Sequence, residues 1–133
     1  MAKEFNTCEA NLLFAATPPL EALRIILSEA ATIDERSQKE DKVIMINDVA
    51  RAFFEAPVKR DVCVELPEEA LSEKEKEMDL VGKLEMSLYG TRDAAANFQE
   101  EIAKFMSQIG YKQGKYNPCT YWHEKRKLRK CVH

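Results

Sequence analysis

Of all residues in this sequence, Asp48 has the neighbouring residues that most favour a catalytic or metal-binding role. It follows the apolar residues 43–46 after a single asparagine. Such a short run with β-branched members predicts a buried strand, and a carboxylate just beyond it would lie at the end of a sheet, where ligands and metal ions bind. A lone carboxylate at that place is also a common helix cap, so Asp48 alone leaves both interpretations open.

A second set of metal-ligating side chains lies near the end of the chain, at Cys119, His123, Cys131 and His133. Their spacing matches no common zinc finger, and a shift of one residue in strand register would separate the two pairs. We therefore expect no zinc site there. All cysteines of the chain are expected to be reduced thiols, because no secretory signal precedes them.

The charges of the chain are unevenly distributed. The formal net charge is −3, but residues 111–133 hold seven basic side chains and one acidic side chain, so this segment carries +6 and the remainder −9. A basic end on an acidic body could contact the phosphates of a nucleic acid. A solvated hairpin tip explains the same charges, and both interpretations stay open. The acidic residues 73–79 are interpreted as a solvated loop rather than an interaction motif.

Two main helices and several short strands must position these residues. The Thr-Pro-Pro sequence at 17–19 predicts a helix start capped by Thr17, and leucines at helical spacing continue the pattern. The longest helix is predicted over residues 92–109, with an apolar stripe that begins at Phe98 and Gly110 as its left-handed stop. The other expected elements are strands at 43–46, 61–66, 81–86, 119–124 and 128–132, helical turns within 49–55, and polar loops at 33–42 and 67–79.

Size and composition indicate one ordinary globular domain with an α+β fold. The chain has 133 residues, of which 45% are hydrophobic and 32% charged. No stretch reaches the roughly 18 uninterrupted apolar residues of a membrane span. Residues 1–16 do not resemble a signal peptide, because glutamates interrupt their apolar character. We expect a chain without membrane contact, located in the cytoplasm or nucleus.

Residues 48–53, Asp-Val-Ala-Arg-Ala-Phe, resemble the first catalytic motif of the reverse transcriptases of copia-type retrotransposons, Asp-Val-x-x-Ala-Phe. Further segments match this family in the same order. They are the acidic, proline-containing residues 60–68, the sequence ending in Ser-Leu-Tyr-Gly at 83–90, Gly-Tyr-Lys at 110–112, Asn-Pro-Cys-Thr-Tyr at 117–121 and, before the first motif, the helix-like residues 19–24. The resemblance covers residues 17–133 and leaves 1–16 as an N-terminal leader.

The resemblance implies a partial polymerase palm and fingers, in which a short antiparallel sheet packs with two main helices. It implies an RNA-directed DNA polymerase that acts on an RNA or DNA template–primer with deoxynucleoside triphosphates. Nucleotidyl transfer uses two divalent cations, and magnesium prefers hard oxygen ligands. By the resemblance, Asp48 is a catalytic residue and shared Mg²⁺ ligand, and the carbonyl oxygen of Val49 is a second ligand.

Three further positions correspond to nucleotide-binding residues of the family. Phe53 would stand against the sugar of the incoming nucleotide and clash with a 2′-hydroxyl, although core packing beside Phe54 explains it without a ligand. Gly90 would let the backbone approach the nucleotide or the template base, and an ordinary strand-to-helix turn is its alternative. Arg92 would meet phosphate, or is simply a surface arginine.

The sequence departs from the family in two places. Ala94-Ala95 stands where the family usually has Ser-Pro, which puts a hydroxyl contact to the template in doubt. The two adjacent aspartates that supply the other metal ligands would follow His133, and no basic fingers segment precedes residue 17. We therefore expect a chain truncated before the second catalytic motif, inactive alone, with an unpaired sheet edge that favours self-association.

Two other functions stay open. A decayed or domesticated descendant of such an element would bind nucleic acid through its basic end without catalysing a reaction. An unrelated small α+β binding domain would make the motif matches accidental, although several ordered matches rarely coincide. The coding DNA downstream separates the enzyme from its descendant, because only the enzyme needs an in-frame Asp-Asp pair.

Overall fold

The computed structural model describes residues 14–32, 42–78 and 80–132, and it mixes α-helices with antiparallel strands as expected. The chain divides into a first unit that contains Arg51–Glu101 and a second unit made of Ala16–Ala50 and Ile102–His133. The elements are α1 (Leu20–Ala31), α2 (Glu73–Glu77) and α3 (Ala94–Gln108), strands β1 (Cys63–Glu65), β2 (Val81–Lys83), β3 (Lys112–Gln113), β4 (Thr120–His123) and β5 (Leu128–Cys131), and two 3₁₀ helices, Ala52–Glu55 and Glu68–Ala70. Most of the predicted leader and of loop 33–42 lies outside the described residues.

In the first unit, β1 and β2 form a two-stranded antiparallel sheet with Cys63 opposite Lys83. A single bridge between Pro57 and Met86 continues the pairing. The two strands predicted for this part of the chain are confirmed, but each is three residues long. Only the central residue of each strand is half-buried. So little covered surface stabilises only a short ladder.

The acidic stretch between β1 and β2 is exposed, as expected, and contains the short helix α2. Ser72 and Glu75 form a capping box at its start: the Glu75 carboxylate accepts a hydrogen bond from the Ser72 backbone N–H at 2.8 Å. The helix consists of charged residues and none of them is buried. The segment is therefore a solvated connection between the two strands.

Helix α1 is confirmed, but its start differs from the prediction. Pro19, in extended conformation, occupies the capping position instead of Thr17, and no side chain caps the helix. At the other end the Lys42 ammonium donates hydrogen bonds to the Glu29 and Thr32 carbonyl oxygens, at 2.9 and 3.3 Å. No residue of α1 is buried, so its leucine face lies exposed within the part of the chain that is described. None of the described helices is long and apolar enough to cross a membrane.

The strand predicted at 43–46 is wrong. Residues 42–49 have no regular secondary structure, and Val43 and Ile46 are 87% and 92% exposed. Strands are stable only when a neighbour pairs with their backbone and a layer covers their apolar side chains. Among the described residues no strand pairs with this run, so its β-branched composition alone does not produce a sheet.

In the second unit, β3, β4 and β5 form a three-stranded antiparallel sheet. The predicted final hairpin is confirmed, with Thr120 opposite Cys131 and His123 opposite Leu128. Strand β3 was not predicted, since two residues carry no readable alternation. The turn at 124–127 closes with Lys127 in the left-handed region, at φ 52°.

The core of the second unit forms where the end of α3 meets this sheet. Met106, Tyr111 and Tyr121 are buried together, with Ile102 and Val132 packed against them. The apolar stripe predicted along α3 is therefore partly confirmed, although Phe105 and Ile109 remain exposed.

Gly110 ends α3 as predicted, at φ 91°, and the Tyr111 N–H donates to the Met106 carbonyl at 2.9 Å. A Cβ at Gly110 would lie 3.1 Å from Nε2 of His123. Both the backbone conformation and the close approach of His123 thus require glycine at this position.

Candidate functional site

The predicted metal ligands Asp48 and Val49 lie in the second unit, in the irregular segment 42–49. The predicted position of Asp48 at a sheet terminus is wrong, because the strand before it does not form. Its side chain is not in the core either: both residues are exposed to solvent. Within the described residues, no three or more acidic, histidine or cysteine side chains group together as metal ligands. Metal binding by Asp48 and Val49 stays a prediction.

Phe53 lies in the first unit, on the 3₁₀ helix Ala52–Glu55, which begins after Arg51 at φ 56°. Its ring centroid is 4.5 Å from that of Tyr89 and 6.1 Å from that of Phe98. The Phe54 ring also contacts Tyr89, edge to face, with 5.6 Å between the ring centroids. Phe53 is therefore half-buried in an aromatic cluster, as the core-packing interpretation requires, and the same cluster holds it beside the residue that precedes Gly90.

Gly90 and Arg92 belong to the turn that leads into α3. Gly90 has φ 101°, a conformation that residues with a Cβ rarely adopt, so the turn itself needs this glycine. Thr91 closes the turn: its backbone N–H and its hydroxyl donate to the Leu88 carbonyl at 3.1 and 2.9 Å. Gly90 is exposed at the tip and Arg92 is half-buried. Nucleotide contacts by either residue stay a prediction.

A buried polar network brackets this turn, and no sequence motif had indicated it. Ser87, Asp93 and Asn97 are 0%, 5% and 5% exposed. The Asn97 amide donates to Ser87 Oγ at 3.1 Å and to Asp93 Oδ2 at 3.0 Å. The Arg60 guanidinium donates to Asp93 Oδ1 at 3.0 Å. The one readable signal was the spacing of Asp93 and Asn97, one helical turn apart; the partner Arg60 is 33 residues away.

The Asp93 carboxyl has a pKa below its ordinary value. Burial pushes the pKa upward, but the hydrogen bonds from Arg60 and Asn97 and the charge of Arg60 outweigh that effect. A group with a lowered pKa stabilises the folded state above its ordinary pKa of 3.8, and this stabilisation is lost as the pH falls through the folded value.

We predict that the free energy of unfolding falls more steeply in wild type than in Asp93→Asn as the pH falls below about 5. Asparagine cannot release or bind a proton there, so the variant lacks this part of the pH dependence. Urea unfolding monitored by circular dichroism at several pH values measures the difference. Parallel curves for both proteins would contradict the prediction.

The basic segment forms the hairpin of the second unit, and its charges are not equally available. Arg129 pairs with Glu29 and stacks over Trp122 at 5.1 Å, and Lys112 pairs with Glu124 at 2.9 Å. The turn residues 125–127 are exposed, with no acidic partner among the described residues. This turn is the most accessible concentration of positive charge in the segment.

The residues first considered as a zinc set have other contacts. The thiol of Cys119 is buried and donates to the Ala16 carbonyl at 3.1 Å. His123 is buried beside the Tyr111 ring, and its Nδ1 accepts a hydrogen bond from the Arg126 backbone N–H at 3.3 Å. His133 lies outside the described residues. Cys119 and His123 thus act as structural side chains of the hairpin.

One curated relative gives information on the origin of the chain. Over 110 residues, which are 83% of this chain, it is 28% identical to the retrovirus-related Pol polyprotein from transposon TNT 1-94 of Nicotiana tabacum. The chain spans about 8% of the length of that polyprotein. No protein-family model and no solved structure matches the chain. The similarity supports an origin in a retrotransposon Pol polyprotein.

Proposed function

We propose that the chain is a segment of an RNA-directed DNA polymerase, the reverse transcriptase of a copia-type retrotransposon polyprotein. The observation that carries this proposal is the ordered series of family motifs from Asp48 to the Asn-Pro-Cys-Thr-Tyr sequence at 117–121. The similarity to the tobacco polyprotein over 110 residues supports it independently of any single motif. In the intact enzyme the segment would contact template–primer and a deoxynucleoside triphosphate.

Asp48 and the carbonyl of Val49 would take part in holding Mg²⁺, which stabilises the attacking and leaving oxygens of nucleotidyl transfer. Both groups are hard oxygen donors and both residues are exposed, so a cation reaches them without a burial cost. The donor set fits magnesium in kind but not in number. One carboxylate does not hold two divalent cations against water, and further carboxylates must come from elsewhere in the polyprotein.

Phe53 and the turn at Gly90 would bind the nucleotide. The contact between the rings of Phe53 and Tyr89 supports this role, because it fixes an aromatic face next to an exposed glycine turn. An aromatic ring against the sugar excludes a 2′-hydroxyl by its bulk, and a position without Cβ admits a base or phosphate. The charge of Arg92 would favour the triphosphate.

Primer extension tests the proposal directly. We predict that the 133-residue chain alone gives no magnesium-dependent extension of a DNA primer on an RNA template, because its metal site is incomplete. Extension by the purified chain would contradict this expectation. The coding DNA downstream supplies the second test: an in-frame Asp-Asp pair within a few codons supports the enzyme, and its absence overturns the proposal.

The second candidate function is a non-enzymatic nucleic-acid-binding module derived from such an element. The observation that favours it is the exposed basic turn at 125–127 within a segment of net charge +6. Phosphate contacts of this kind do not need Asp48 or any metal ion. They predict affinity that falls steeply with salt.

Fluorescence anisotropy with a short labelled oligothymidylate measures this binding. For the pair Lys125→Gln and Arg126→Gln, we predict that the slope of log affinity against log salt falls by about 1.4, since each phosphate contact to a single strand contributes about 0.7. The control pair Lys74→Gln and Lys76→Gln removes two lysines from the exposed helix α2 and should leave the slope unchanged. Equal slopes for both pairs would exclude the hairpin turn as the binding surface.

A further inference from the structure

We propose that Asp93, paired with Arg60, is a positioning residue that holds the turn at residues 88–92 in the conformation that receives a deoxynucleoside triphosphate. This inference rests on the proposed function and extends it to two residues to which the resemblance assigns no role. It assigns the buried carboxylate a task in substrate binding at a distance from the reacting atoms.

The turn is anchored on both sides by the same network. Before the turn, the Ser87 backbone N–H donates to the Ala56 carbonyl at 2.8 Å, and its hydroxyl accepts from Asn97. After the turn, Asp93 accepts from Asn97 with one oxygen and from Arg60 with the other. Asn97 therefore joins the two ends of the turn, and Arg60 ties that junction to the segment before β1.

Helix capping alone does not explain Asp93. A capping aspartate needs only one oxygen to accept from a free backbone N–H of the first helical turn. Here both carboxylate oxygens accept from side chains, one of them charged, in a residue that is 5% exposed. Burying a carboxylate is costly unless it is paired, and an uncharged cap such as serine would avoid that cost. The arrangement favours one conformation of the turn over its alternatives.

That conformation places a binding surface at the tip of the turn. Tyr89 is 42% exposed although its ring packs on Phe53, and Gly90 is exposed with its backbone at φ 101°. A left-handed glycine leaves its neighbouring peptide groups open to a ligand, whereas a relaxed turn would rotate them. Because nucleotide binding depends on sub-ångström placement of such groups, loosening the anchor should weaken it without removing a contact residue.

The test measures binding of dTTP with Mg²⁺ to the whole chain, by chemical-shift titration of its backbone amides. We expect Asp93→Asn and Arg60→Gln each to weaken binding about tenfold and to speed amide exchange at Thr91. Arg60→Lys, which keeps the charge but not the fork, should fall between them and wild type. The double variant should be no weaker than either single variant, because both remove the same pair.

The matched control is Lys112→Gln with Glu124→Gln, an exposed ion pair of the second unit that should leave binding unchanged. Unchanged helical circular dichroism shows that the variants fold. If wild type binds no dTTP, the proposed function and this inference both fall. If wild type binds and the Asp93 and Arg60 variants bind equally well, the inference alone is overturned.

Discussion

Replacing Asp48 with asparagine is expected to lower magnesium-dependent primer extension by at least about a thousandfold in a polyprotein that joins this chain to an Asp-Asp strand. The substitution keeps the size of the side chain and removes its negative charge. Asparagine offers one neutral oxygen, which would be a poor substitute for the carboxylate that two cations share under the proposed function. Under the proposed function, several kilocalories per mole of transition-state stabilisation would depend on that charge, and each factor of ten in rate corresponds to about 1.4 kcal/mol.

The control for this substitution is Glu55→Gln, which removes another exposed carboxylate seven positions along the chain. It should leave extension within about twofold of wild type, because surface charges outside the site change the reaction little. Both variants are assayed with template–primer and dTTP at saturating Mg²⁺. An Asp48→Asn enzyme that extends primers at the wild-type rate would remove Asp48 from the metal site.

Elements with local signals were predictable from the sequence. Helix α1 follows from a proline start and repeated leucines, and the end of α3 follows from Gly110, whose left-handed conformation is confirmed. The β4–β5 hairpin follows from two short strand-like runs on either side of a charged turn. Each signal lies within a few residues of the structure that it specifies, so no knowledge of distant partners was needed.

The failure at residues 43–46 has the opposite cause. An apolar run with β-branched residues indicates only a preference for strand conformation. The backbone groups of a strand need hydrogen-bond partners on a neighbouring strand, and the run itself does not show whether such a strand exists. The leucine face of α1 shows the same limit, since helical spacing predicted the helix correctly but not what covers it. Local composition predicts an apolar surface that other residues should cover, but it does not identify those residues.

The residues of the candidate site also differ in how far the sequence could identify them. Phe53 and Gly90 were recognisable because they match a sequence motif. The structure adds a physical reason for each residue type: Phe53 packs in an aromatic cluster, and Gly90 occupies a left-handed turn. The pairing of Arg60 with Asp93 was not recognisable, because nothing in the sequence near either residue identifies the other as its partner. A charged pair that closes over 33 positions becomes visible only when the chain is folded.

Replacing Tyr121 with alanine is expected to lower the free energy of unfolding by about 3–5 kcal/mol. Tyr121 is 3% exposed and packs with Met106 and Tyr111 in the core of the second unit. The loss combines the transfer of a large ring with an unfilled cavity, and small domains are stable by only about 5–15 kcal/mol in total. Urea unfolding followed by circular dichroism measures the change.

Two substitutions separate the contributions of the Tyr121 side chain. Tyr121→Phe keeps the ring and removes only the hydroxyl, which accepts a 3.3 Å hydrogen bond from Gln113, so it should cost about 1 kcal/mol. Tyr116→Ala removes the same residue type at a position that is 95% exposed, and it should change stability by less than about 0.5 kcal/mol. Equal stability of Tyr121→Ala and Tyr116→Ala would contradict the assignment of the core.

Tyr121→Ala also tests whether the basic turn at 125–127 binds nucleic acid through a fixed geometry or through its charge alone. The turn at 125–127 is held by β4 and β5, and Tyr121 lies on β4 with its side chain in the core. If affinity for oligothymidylate requires the turn to be held in one geometry, Tyr121→Ala should weaken binding even where Lys125 and Arg126 are intact. If charge alone suffices, the destabilised variant keeps the wild-type salt dependence, because counterion release depends on the number of phosphates neutralised and not on the fold that presents them.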